Sequence, residues 1–133
     1  MEITITFTHT PIVIPPLTLP SREIGAVVEF HGLVRELEDG RALPGLHYTA
    51  YEPMAGRQLA RIFTELHTAE PCAAVHFIHR LGWVPVGEAS LYVRVLAAHR
   101  REALRFLAAA IDRMKADVPI WKSDQPPADG ASP

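Results

Sequence analysis

Lysine occurs only twice in this 133-residue chain, at Lys115 and Lys122; the other eleven basic residues are arginine. The two flank a proline in "MKADVPIWKSD". A helix that stops at Pro119 and continues extended can fold back and bring both ammonium groups to one pocket. Lys115 follows Ile111 by four residues and Met114 by one, at the edge of an apolar stripe one turn from the helix end. An ammonium partly withdrawn from water there becomes a better base or nucleophile. Arginine holds anions but does not exchange protons at neutral pH. "AAHRREAL" places His99, Arg100 and Arg101 where a strand becomes a helix, and basic side chains beside the free N–H groups of a helix start suit an anion. Arg35 follows "FHGLV" as a further cation. For each of these groups the plainer reading is a solvated surface charge.

Other chemistries find less support. Seven histidines invite a metal, but His76 and His79 lie three apart in an expected strand and so face opposite sides. No cysteine or carboxylate pairing has zinc-like spacing, so neither a metal nor a cofactor is expected. Glycine-rich phosphate loops and nucleophile elbows are missing from the sequence. A net charge of −2 argues against nucleic acid and membrane surfaces as partners. Cys72 is the only cysteine, which suits packing in a reducing cytoplasm and forbids an internal disulfide. "MEITITFTHT" alternates apolar and polar residues and does not read as a signal peptide.

The positioning elements follow from periodicity. Ile3, Ile5 and Phe7 alternate with threonines as in a half-buried strand. The four prolines of "PIVIPPLTLP" forbid a helix there. "IGAVVEFHG" and "LHYTAYE" read as strands, with "VRELEDGRALPG" an exposed charged loop between them. Residues 53–68 repeat apolar side chains at helical spacing behind Pro53. "AAVHFIHRLG" and "ASLYVRVLAA" read as two strands joined by a loop. A second helix is expected from His99 or Arg100 to Asp117, with Leu104, Leu107, Ala108, Ile111 and Met114 on its buried stripe. "PIWKSD" continues extended. The order implies an α+β fold with a largely antiparallel sheet and two main helices. Residues 1–124 form a single domain, and 125–133 are expected to be a disordered tail.

"GAVVEFHGLVRE", "LHYTAYEPMAGRQL", "IHRLGWVPVGEASLYVRVLAAHRREAL" and "MKADVPIWKSD" resemble, in order and spacing, the MoaE family, the large catalytic subunit of molybdopterin synthase. The similarity covers roughly residues 24 to 124. The resemblance implies an α/β hammerhead-type fold and a homodimer within a heterotetramer. Each end of the dimer would bind a small ubiquitin-like (MoaD-like) sulfur-carrier subunit ending in a Gly-Gly thiocarboxylate. The implied reaction is sulfur transfer from that carrier to cyclic pyranopterin monophosphate, forming the dithiolene of molybdopterin.

By motif position, the resemblance makes Lys115 and Lys122 the catalytic lysines. It makes Leu33, Val34, Arg35, His99, Arg100, Ser123 and Asp124 substrate contacts together with them, with His99 and Arg100 reaching in from the neighbouring subunit. Lys115 then acts as general acid/base or transiently accepts the carrier's acyl group. The shorter proline-rich segment near the start, and Asp124 where relatives carry glutamate, depart from the family's pattern. They leave open an alternative: a diverged, non-catalytic paralogue that binds a ubiquitin-like carrier or a phosphorylated metabolite.

Overall fold

The computed structural model describes residues 1–125. Most of the expected tail, 126–133, lies outside the described residues. Along the chain come β1 (Glu2–Thr8), β2 (Ala26–Leu33), β3 (Leu37–Glu38), β4 (Arg41–Ala42), β5 (Gly45–Ala50) and α1 (Glu52–Ala69). These are followed by β6 (Ala74–Arg80), β7 (Gly82–Pro85), β8 (Ala89–Ala97), α2 (Arg100–Asp117) and β9 (Ile120–Ser123). A four-stranded sheet has the order β1-β6-β8-β2, and a three-stranded sheet the order β7-β5-β9. All pairings are antiparallel except β1 with β6, which are joined only after a long excursion through α1.

Alternation decides which face of the large sheet is buried. Leu91, Val93, Val95 and Ala97 of β8, with Val75 and Phe77 of β6, face the two helices and form the main core. Phe63 of α1 sits 6.0 Å from the Phe77 ring and 5.9 Å from that of Phe106 on α2. This aromatic contact corrects the expected stripe of α2. The buried residues are Ala103, Phe106, Leu107, Ala110 and Met114, while Leu104 is 53% exposed. Two stripes at helical spacing were available in this Ala- and Leu-rich sequence. The larger apolar area of Phe106 selects the one that is buried.

The segment read as a charged loop contains a hairpin, β3 with β4, pairing Leu37 with Ala42 and Glu38 with Arg41. Its two-residue turn has positive φ at both Asp39 (51°) and Gly40 (77°), the Asp-Gly geometry that closes tight hairpins. β7 likewise replaces part of an expected loop and pairs with β5. Val34, Leu43, Leu46 and Val84 make a second, smaller core beneath this region.

The outer face of the large sheet carries the proline-rich segment. Arg94 of β8 is buried and donates to the carbonyl oxygens of Pro15 (2.6 Å) and Pro16 (3.3 Å). Its guanidinium also pairs with Glu29 at 3.5 Å, whose carboxylate accepts from the Tyr92 hydroxyl. Arg94→Met removes the donor to both carbonyls and the cation beside Glu29, which keeps its Tyr92 hydrogen bond. Such a loss costs about 1–3 kcal/mol. The expected outcome is a lower denaturant midpoint with faster proteolytic cleavage inside residues 11–24; unchanged cleavage would mean that Arg94 does not hold the segment.

Candidate functional site

A cavity of about 540 Å³ lies between the two sheets and the end of α2. Phe30, Leu46, Leu91, Met114 and Ile120 give it apolar walls, and Tyr48, His79 and Ser90 add polar groups. Its cations come from three separate places: Arg35 after β2, Lys115 in the last turn of α2, and Lys122 on β9. α2 ends at Asp117 and is capped by Val118, whose N–H donates to the Met114 carbonyl at 3.1 Å. Pro119 then diverts the chain, and β9 pairs with β5, Lys122 opposite Tyr48. That reversal sets both lysines on one cavity.

Lys115 is exposed at the rim rather than withdrawn from water, because the last turn of α2 stands on the open side of the cavity. Lys122 donates to Glu38 Oε1 at 2.6 Å, and Arg35 lies 3.8 Å from Glu38 Oε2. Lys122 above all holds the Glu38 carboxyl below its ordinary range, with Arg35 and Lys115 adding to the field against the opposing effect of burial. The mouth is also apolar: Leu33 and Trp121 line it while 56% and 58% exposed.

Leu33, Val34 and Arg35 line the cavity as well. Four other expected contacts do not. Ser123 is exposed outside it, and Asp124 turns away to pair with Arg41 of the hairpin at 2.9 Å. Ser123 is the last residue of β9, paired with His47, and Asp124 lies just past the end of the strand. His99 caps the far end of α2 and its Nδ1 pairs with Glu102 at 3.2 Å, with Arg100 exposed beside it. Fifteen residues of helix separate Arg100 from Lys115, about 22 Å at 1.5 Å per residue. One chain therefore does not bring the 99–100 pair to its own cavity. Glu38, Tyr48, His79 and Trp121 are lining residues that sequence reasoning missed. The Asp-Gly turn was the one signal that could have placed Glu38.

His79 is buried, and its Nδ1–H donates to the Arg80 carbonyl at 2.8 Å, so Nε2 carries no proton in the neutral ring. Burial pushes its pKa below 6.5 against the raising effect of that hydrogen bond. The unfolded chain therefore takes up a proton that the folded chain refuses once the pH drops below about 6.5. This contribution to stability is complete above that pH and fades as the pH falls toward the lowered value. The melting temperature should decline from pH 7.5 to 5.5, and His79→Phe should flatten the decline, leaving the weaker slope of His76, which burial shifts the same way. An identical slope in His79→Phe would contradict this assignment. On the far side of the core, burial first, then Glu102 and Glu70, raises the Cys72 thiol to about 12, which leaves it inert as a nucleophile.

Comparison with known proteins identifies the family. The model of the MoaE protein family matches residues 8–117. A molybdopterin synthase catalytic subunit from Oryza sativa subsp. indica is 43% identical over 100 residues, which cover 75% of this chain and 52% of that one. The chain spans about half the length of most curated relatives it matches. The crystal structure of molybdopterin synthase from Staphylococcus aureus superposes with a TM-score of 0.77 at 34% identity, covering 98% of this chain and 93% of that chain. A complex of subunits 1 and 2 of molybdopterin-converting factor from Helicobacter pylori gives 0.66 at 26% identity, covering 84% and 76%. With the family model matched over residues 8–117 and relatives about 40% identical over three quarters of its length, the chain belongs to the MoaE family.

Proposed function

We propose that this chain is the catalytic subunit of a molybdopterin synthase, a sulfurtransferase. It takes sulfur from the thiocarboxylate terminus of a small ubiquitin-like carrier subunit and delivers it to cyclic pyranopterin monophosphate, forming the dithiolene. The observation that carries this reading is the convergence of Lys115 and Lys122, the chain's only lysines, with Arg35 on one cavity with apolar walls. Substrate phosphate and carrier thiocarboxylate are both anions. Two unit charges 4 Å apart repel by about 4 kcal/mol at an effective dielectric near 20, and cations already in place remove that barrier.

The roles divide by chemistry. Arg35 and Lys122 hold the pterin phosphate. Lys115, exposed at the rim, is withdrawn from water when the carrier tail docks over the apolar mouth at Leu33 and Trp121. There it moves the proton needed for transfer, or its amine takes the carrier's acyl group as sulfur departs with the pterin and water later frees the carboxylate. The Helicobacter pylori complex of two subunits supports a small-subunit partner. A homodimer within a heterotetramer would supply His99 and Arg100 from the second copy. A cytoplasmic setting suits the lone Cys72. Among the described residues no helix is long and apolar enough to cross a membrane.

Reconstitution tests the reading directly: the purified chain, a thiocarboxylated carrier and cyclic pyranopterin monophosphate should yield the dithiolene, detected by mass spectrometry. Carrier binding without product would instead indicate a binding paralogue. Product formation with no dependence on the carrier would exclude sulfur transfer from a protein thiocarboxylate.

A further inference from the structure

The hairpin β3–β4 reaches the cavity with one side chain, Glu38, and that side chain is only 20% exposed. Its two carboxylate oxygens are divided between two cations on different elements. Oε1 takes the Lys122 ammonium at 2.6 Å, and Oε2 faces the Arg35 guanidinium at 3.8 Å. A second ion pair, Arg41 to Asp124 at 2.9 Å, ties the other strand of the hairpin to the segment after β9. The tight Asp39-Gly40 turn leaves the two strands no slack.

We propose that Glu38 is a built-in counter-anion: its carboxylate holds the position that an anionic ligand takes between Arg35, Lys115 and Lys122, so that ligand binding is an exchange of one anion for another. This deepens the function proposed above by assigning a specificity determinant to the same cavity, and rests on it. Exchange explains why a cavity with three cations keeps a carboxylate in its lining. The cations stay oriented and neutralised, a weakly held anion gains little by displacing an ion pair already formed, and a dianion such as a phosphate monoester gains more. The Glu38 side chain must then turn away from Lys122 as the ligand enters.

Binding of inorganic phosphate, followed through amide chemical shifts around Trp121 and Lys122, tests this without carrier or pterin. Glu38→Gln keeps the shape and removes the charge. It should bind phosphate about two- to five-fold more tightly than the native chain, the range expected when one competing exposed ion pair is deleted. In the Lys122→Ala background the same substitution should have a smaller effect, because the pair it breaks is gone. Equal or weaker binding by Glu38→Gln overturns the proposal, because a carboxylate that merely orients Lys122 would help the ligand. Phosphate binding by neither protein overturns it too. Failure of sulfur transfer alongside tighter phosphate binding would count against the catalytic reading and leave the exchange standing.

Discussion

Replacing Lys115 by alanine should abolish dithiolene formation while leaving the fold untouched. The residue is exposed at the end of α2, with Met114 beside it filling the core position, so truncation removes no buried contact. Its thermal stability cost should stay within about 0.5 kcal/mol. Catalysis should suffer far more: loss of a positioned proton-transfer group typically costs about 10²- to 10⁴-fold. Lys115→Arg keeps the positive charge but not the proton exchange, so it should bind carrier and substrate and still fail to turn over. The two possible jobs of the amine separate by mass spectrometry. Quenching the native reaction should trap an amide between the carrier's terminal glycine and Lys115 if the lysine accepts the acyl group, and no adduct if it only moves a proton. Turnover by Lys115→Ala within a factor of a few of native would take the lysine out of the chemistry.

How much of this was legible beforehand varies with the range of the interaction. The long strands and both helices announce themselves through period, since β1 and α1 each repeat their apolar residues several times. β3, β4 and β7, two to four residues long, contain too few alternations to register. The convergence of Lys115 and Lys122 was readable because one local event, the break at Pro119, produces it. Glu38 was not, since its partner Lys122 lies 84 residues away and pairing over that distance comes from the β5–β9 register rather than from any motif. The expected withdrawal of Lys115 from water failed for a related reason. Its neighbour Met114 is buried, but the next position lies about 100° further round the helix, which leaves the ammonium exposed at the cavity rim.

The distance along α2 leads to the other large effect. His99 and Arg100 stand about 22 Å from Lys115 at 1.5 Å per helical residue, well beyond the reach of an arginine side chain. If both sets serve one reaction, each cavity must be completed by a second copy of the chain. His99→Ala combined with Arg100→Ala should then cut activity at least ten-fold, and Lys115→Ala should be inactive. Mixing the two inactive proteins under conditions that exchange protomers should nevertheless restore product. In a mixed two-fold dimer one cavity combines an intact Lys115 with an intact 99–100 pair, and the other loses both. Random exchange makes half of the dimers mixed, so recovery should approach about a quarter of native activity. A site built from one chain predicts no recovery at any mixing ratio. That result would return His99 to its local pairing with Glu102 and Arg100 to the solvated start of α2.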